Sequence, residues 1–159
     1  MNKYIFLDVD GVLNNHFTKD TISGYIGIDS EKVNAIAEII ERTGAELVLC
    51  SSWKDHWQKE HKEDQDEFGD YLDKKLEAAG LEIIDKTIDC GYRRGTGIKN
   101  WLSENADPND RWCVLDDECF ADYYYNGNFF DHLVSTEYYN PDGGLQNAHV
   151  EQAVKILNG

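Results

Sequence analysis

The sequence predicts an α/β fold in which parallel strands end in polar residues at one edge of a sheet, within a single domain spanning residues 1–159. Three observations predict it. The apolar run Lys3–Leu7 passes straight into Asp8. An amphipathic segment of helix length, beginning at Ser30, separates that run from a second one, Ala45–Cys50, which closes on Ser51. A later run, Trp112–Leu115, ends in Asp116-Asp117. Short apolar runs rich in β-branched and aromatic residues read as buried strands. A strand–helix–strand unit of this length is a parallel crossover. Open parallel sheets bind ligands beyond the carboxyl ends of their strands, so the polar termini are expected to share one crevice.

Taken in order, the first strand ends in Asp8-Val9-Asp10-Gly11, and side-chain alternation directs Asp8 and Asp10 to the same side. Gly11 lets the backbone turn there. Residues Asn15 to Asp29 are polar and read as a loop with a small hairpin lying over the strand end. Ser30 reads as the N-cap of a helix whose buried face carries Val33, Ile36, Ala37, Ile39 and Ile40, and Gly44 stops it. After Ser51-Ser52-Trp53-Lys54, the stretch Asp55 to Ala79 reads as helical. Its polar middle, Lys59 to Asp66, is either a solvated face or a break between two helices. Leu81–Thr87 reads as a third strand. Tyr92-Arg93-Arg94-Gly95-Thr96-Gly97 leads into a helix through Ile98, Trp101 and Leu102, and a helix start of this kind favours anions. Asp107-Pro108-Asn109-Asp110 is a turn before the fourth strand. Beyond Asp117, Cys119 to Tyr125 is helical or irregular, a fifth strand runs from about His132 to Thr136, and Asn147 to Leu157 forms a last amphipathic helix. The aromatic residues Tyr123-Tyr124-Tyr125 and Phe129-Phe130 divide between packing and a capacity to stack on bases.

Composition excludes several function classes. The 159 residues are 41% hydrophobic with 4 Trp, enough for a packed core and unlike a disordered chain. The formal net charge of −16 disfavours passive binding of nucleic acid, whose affinity comes from Lys and Arg neutralising phosphates. Arg93-Arg94 remains a candidate local basic patch. No run has the length of a membrane span, and Met1-Asn2-Lys3 leads into a segment broken by Asp8 and Asp10 instead of a secretory signal, so a cytoplasmic location is expected. The cysteines Cys50, Cys90, Cys113 and Cys119 form no CxxC pair, which argues against a zinc ribbon or redox motif; Cys50 and Cys113 read as core. An EF-hand is excluded because Gly11 directly follows Asp10 with no third ligand between.

Four strand-end elements converge on one expected edge: Asp8 and Asp10, Ser51, Arg94 or Lys99, and Asp116 with Asp117. Carboxylates held close together repel one another unless a cation lies between them, and an all-oxygen donor set suits Mg2+. Phosphoryl transfer uses such parts: a nucleophile, a divalent cation and extra donors for the phosphate oxygens. An ionised Asp serves as nucleophile, and a second serves as general acid and base.

The residues that carry this chemistry resemble a known family. Asp8-Val9-Asp10-Gly11-Val12-Leu13 is similar to motif I, DxDGxxx, of the haloacid dehalogenase (HAD) superfamily. Leu47-Val48-Leu49-Cys50-Ser51 is similar to its second motif, and Val114-Leu115-Asp116-Asp117 to its fourth. Arg94 fits the third motif best, as a cation in the loop before a helix, and Lys99 is the fallback. More narrowly, DVDGVLN, the Ser-Ser-Trp after the second strand and the RGxxI before Trp101-Leu102 resemble the small HAD domains of Swiss Army Knife RNA repair proteins. The resemblance implies a Rossmann-like sheet with the first strand central. It implies Asp8 as nucleophile and Asp10 as general acid and base, with Ser51 and Arg94 on the phosphoryl group and Ser52 and Lys99 as further substrate contacts. It implies Mg2+ held by Asp8, the backbone carbonyl of Asp10 and Asp116, with Asp117 as a further ligand or just behind them.

The gap Asn15 to Asp29 is too short for a folded cap domain, and Trp53 to Gly91 is taken up by helix and strand, so little or no cap is expected. The implied activity is a Mg2+-dependent phosphomonoester hydrolase working through an aspartyl-phosphate, acting on polynucleotide ends. The alternatives are a nucleotidase or small-metabolite phosphatase, and a non-catalytic metal-binding regulatory domain. The expected partner is a phosphorylated substrate, with no membrane.

Overall fold

The computed structural model describes residues 1–89 and 91–159; Cys90 lies outside the described residues. Five strands form one parallel sheet: β1 (Lys3–Leu7), β4 (Glu46–Leu49), β5 (Ile83–Lys86), β6 (Arg111–Asp116) and β7 (Leu133–Ser135), in the order β5-β4-β1-β6-β7. Every neighbouring pair in this sheet is parallel. This is a Rossmann-like α/β arrangement, and β1 is its central strand. The chain first builds outward through β4 and β5, then returns to the other side of β1 for β6 and β7. The switch beside β1 is where doubly wound sheets open a crevice.

Alternation along β1 divides the core into two layers. Ile5 and Leu7 face a cluster with Ile36, Ile39, Leu72, Val150 and Leu157, contributed by helices α1 (Ser30–Thr43), α2 (Glu67–Glu77) and α4 (Asn147–Asn158). Tyr4 and Phe6 face a smaller cluster with Ile98, Trp101, Trp112, Tyr123 and Phe129, built around α3 (Arg94–Asn105). Aromatic edges lock this second layer: Trp101 packs edge-on against Tyr4 at 5.0 Å and against Phe6 at 5.5 Å. Such T-shaped contacts put the positive ring edge on a negative face.

Several expectations are corrected in detail. Ser30 is the first residue of α1 and not its cap; Asp29 holds the cap position with extended backbone. Gly44 ends α1 in the left-handed region at φ 71°, as expected. The stretch Asp55 to Ala79 is not one helix. It holds two single 3-10 turns, Ser52–Asp55 and Lys62–Asp64, before α2 begins at Glu67. The polar middle is a break because its side chains bond one another: Gln65 Nε2 donates to Asp70 and Asp73, and Lys62 reaches Asp73 at 2.8 Å while lying 4.2 Å over the Trp57 ring. Asp66 then caps α2, accepting from the backbone N–H groups of Phe68 and Gly69. The expected small hairpin is present as β2 (Thr21–Ile22) and β3 (Tyr25–Ile26). Its turn residues Ser23 and Gly24 both have positive φ, at 48° and 81°, the geometry that matches strand twist in a two-residue hairpin. No inserted cap domain is present among the described residues. Among the described residues, no helix is long and apolar enough to cross a membrane.

Among the aromatic residues of the tail, Tyr123 and Phe129 are core, stacked on each other at 4.1 Å, whereas Tyr124, Tyr125 and Phe130 are exposed. Cys50 and Cys113 are buried, and Cys119 is exposed.

Candidate active site

The register of the sheet aligns four strand ends, those of β1, β4, β6 and β7. Asp8 N–H donates to the Leu115 carbonyl, Cys50 N–H to the Leu7 carbonyl, and Thr136 N–H to the Asp116 carbonyl, each at 3.0 Å. Parity then decides direction. Tyr4 and Phe6 face α3, so Asp8 does; Trp112 and Val114 face α3, so Asp116 does. The first residue of α3 is Arg94, and its Nη1 lies 3.3 Å from Asp8 Oδ1 and 2.9 Å from Asp116 Oδ2. Tyr123 donates its hydroxyl to the same Asp116 oxygen at 2.8 Å.

Asp8, Asp116 and Asp117 bring three carboxylates together, each with an oxygen within 4.8 Å of the others. Asp116 is wholly buried and Asp8 nearly so. Burial pushes the Asp8 carboxyl well above the usual range; the charge of Asp116 adds to that shift, and Arg94 opposes it. The Asp117 carboxyl is also raised, chiefly by burial. The single guanidinium of Arg94 does not balance this group. Three hard oxygen donors at this spacing fit a divalent cation such as Mg2+, whose charge would oppose both upward shifts. Gly11 makes room for the arrangement. Its φ is +82°, and a Cβ there would run into the Asp117 carboxylate. A second group of candidate ligands, His61, Glu63 and Asp64, is exposed and does not line the cleft.

Asp10 is not in the carboxylate cluster. The ladder pairing of β1 reaches Asp8, whose N–H still bonds Leu115, and stops there, so alternation no longer governs Asp10, and the turn at Gly11 carries its side chain apart. The close acidic group joins Asp8 to Asp116 and Asp117 and leaves Asp10 outside. Two donors hold the Asp10 carboxylate: Asn14 Nδ2 reaches Oδ1 at 2.9 Å, and Trp53 Nε1 reaches Oδ2 at 3.0 Å. Asn14 is fully buried and also accepts from Gly11 N–H and donates to the Gly27 carbonyl, tying the turn to the hairpin loop.

A cleft of about 690 Å³ opens over these groups, lined by Asp8, Asp10, Ser52, Lys54, Arg94 and Asp117 among others. Ser51 sits just behind it, 1% exposed, its hydroxyl accepting from Trp53 N–H at 3.2 Å to cap the first 3-10 turn; Ser52 is the serine that lines the cleft. Lys99 lies apart from the cleft: its Nζ is 4.6 Å over the Trp112 ring, in the aromatic layer, and it is not among the cleft-lining residues. Five residues separate it from Arg94, about 1.4 helical turns, which rotates it roughly 140° about the helix axis and off the strand ends. The Arg93-Arg94 pair is not a basic patch either, because Arg94 is buried among carboxylates while Arg93 is exposed. The expected anion-binding helix start is already filled. Asp122, 2% exposed, accepts from the backbone N–H of Gly95 at 3.1 Å and of Thr96 at 2.7 Å.

Asn14, Trp53, Lys54, Asp122 and Tyr123 were not among the expected site residues. Lys54 lines the cleft and is held by Asp89 at 2.6 Å. Trp53 and Lys54 directly follow the serine pair, a signal that was available. Asp122 and Tyr123 lie in an irregular stretch, and nothing in the local pattern marks them.

A family model described as the HAD domain in Swiss Army Knife RNA repair proteins matches residues 4–150. Comparison with the curated proteins and with the solved structures returns no significant match. The matched span runs from β1 into α4 and includes every strand-end carboxylate of the cleft, and the chain belongs to this family of HAD domains.

Proposed function

We propose that the protein is a Mg2+-dependent phosphomonoester hydrolase that works through an aspartyl-phosphate on Asp8, with polynucleotide ends as the leading substrate class. The observation that carries this reading is the pairing of two differently held carboxylates in one cleft: Asp8 in the buried cluster beside Arg94, and Asp10 in the solvent-facing turn with both oxygens bonded. Carboxylates in contrasting environments take contrasting roles in acid–base chemistry. In this reading an Asp8 oxygen attacks phosphorus and forms a P–O bond as the ester P–O bond breaks. Asp10 passes its proton to the departing oxygen. Asp10 then takes a proton from water, whose oxygen attacks the phosphorus of the acyl phosphate and releases inorganic phosphate and free Asp8. Arg94 and Lys54 supply positive charge beside the phosphoryl oxygens, and Ser52 supplies a hydroxyl at the cleft wall. A divalent cation held by Asp8, Asp116 and Asp117 would neutralise charge on the phosphoryl oxygens.

Phosphate release with and without Mg2+ tests the reading, using a 3′-phosphorylated RNA, a 5′-phosphorylated RNA, nucleoside monophosphates and a generic aryl phosphate. Mg2+-dependent release by the wild type that disappears in Asp8→Asn is expected. Release that persists in a folded Asp8→Asn protein would exclude Asp8 as nucleophile. Mg2+ binding with no release from any ester would favour a non-catalytic metal-binding domain.

A further inference from the structure

A second cavity, of about 590 Å³, adjoins the cleft and shares Asp10, Ser52 and Tyr138 with it. Its walls come from separate parts of the chain: Tyr25 and Ile26 of the hairpin, Trp53 of the first 3-10 turn and Phe68 of the first turn of α2. Phe68 lies 5.9 Å from both the Tyr25 and the Trp53 rings, crossing them at 66° and 78°. Tyr25 is 67% exposed, so most of its ring surface is uncovered. His56, Ser52 and Asp10 add a few polar groups to the aromatic wall, the composition of a small-molecule site. Among the described residues, no lysine or arginine lines it.

The walls are fixed in place. Tyr71 donates to Asp20 at 2.9 Å and accepts from Ile28 N–H at 2.9 Å, and Ser23 donates to Glu67 at 2.9 Å, which fastens the hairpin to α2. Asp66 caps the turn that carries Phe68.

We infer that this cavity is the leaving-group subsite and that it takes the flat ring of a nucleobase from a singly phosphorylated nucleoside, either free or at a chain end. The inference rests on the proposed hydrolysis. The proton donor Asp10 stands at the junction of the two cavities, with Trp53 bonded to it. The group on the departing oxygen therefore lies on the Trp53 side while phosphorus lies on the Asp8 side. Aromatic walls favour a stacked ring. With no lysine or arginine on its described walls, the cavity disfavours a second phosphate on the same nucleoside.

The test compares kcat/KM for adenosine monophosphate, a 3′-phosphorylated oligonucleotide and glycerol phosphate, in wild type, Tyr25→Ala and Phe68→Ala. Stacking on one base corresponds to roughly 5- to 150-fold, so the two base-bearing esters are expected to exceed glycerol phosphate by a factor in that range. Tyr25→Ala, at an exposed position, is expected to shrink that ratio, and Phe68→Ala to shrink it further if the protein remains folded. The preferred member of the base-bearing pair identifies the free nucleotide or the chain end as the source. Equal kcat/KM for all three esters, or an unchanged ratio in Tyr25→Ala, would overturn the subsite and leave hydrolysis intact. No turnover of any ester would overturn the hydrolysis and the subsite with it.

Discussion

The indole of Trp53 donates to Asp10 Oδ2 at 3.0 Å, linking the residue after the serine pair of β4 to the carboxylate after β1. Trp53→Phe keeps the ring and removes the donor. A hydrogen bond to a charged group contributes about 1.5–3 kcal/mol, so kcat for phosphate release is expected to fall on the order of tenfold or more. The pH–rate profile is expected to change on the limb that reports the acid, which separates a loss of Asp10 positioning from a general loss of folded protein. An unchanged profile with unchanged kcat would remove Trp53 from the mechanism.

Tyr123 and Asp122 place Arg94 indirectly, one through Asp116 and the other through the start of α3. Tyr123→Phe leaves a buried carboxylate one donor short and is expected to cost about 1.5–3 kcal/mol, read from the urea midpoint at constant m. Asp122→Ala removes a helix cap and is expected to cost about 1 kcal/mol. Both are expected to lower activity as well, because Arg94 loses its fixed position beside Asp8.

Mg2+ is expected to raise the melting temperature by roughly 5–10 °C at a hundredfold excess over Kd, from the mass-action gain spread over a chain of this size. Asp117→Asn is expected to shrink that rise. Gly11→Ala is expected to abolish it, since the new methyl group displaces the Asp117 carboxylate. The left-handed backbone at Gly11 adds a cost of roughly 1–2 kcal/mol for any residue with a Cβ. Calorimetry with and without the ion distinguishes the two contributions.

Two histidines make the fold acid-sensitive. His149 Nδ1 accepts from Gln146 N–H at 3.0 Å in the capping box of α4, a bond that requires an unprotonated nitrogen. His132 stacks on Trp112 at 3.8 Å with its ring nitrogens bonded to the Trp112 carbonyl and Asn128. Burial depresses both pKa values, and nearby Lys32 and Lys99 depress them further. The folded chain thus binds fewer protons than the unfolded chain. The stability tied to these groups is full above the ordinary histidine value of about 6.5 and is lost as pH falls below it through the depressed folded-state values. The melting temperature is expected to drop between pH 7.5 and 5.5, and His149→Gln to flatten that drop.

The sequence by itself determined the sheet and the acidic edge. Strands read from Lys3–Leu7, Ala45–Cys50 and Trp112–Leu115 are central because continuous apolar runs are stable only where both faces are covered. Asp8, Ser51 and Asp116 were legible because each directly follows such a run, and parallel pairing brings the ends of those runs level. Tertiary structure decided which groups meet. Asp10 left the carboxylate cluster because the ladder pairing of β1 stops at Asp8. Arg94 lies beside Asp8 and Asp116 while helical rotation turns Lys99 onto the Trp112 ring. The helix start expected to bind a ligand anion is filled by Asp122, and Asp116 takes its bond from Tyr123, across sequence separations that no local pattern records. Local periodicity encodes which face of an element is buried. The partner across that face is set only when separate elements pack, and the cleft is made of such pairings.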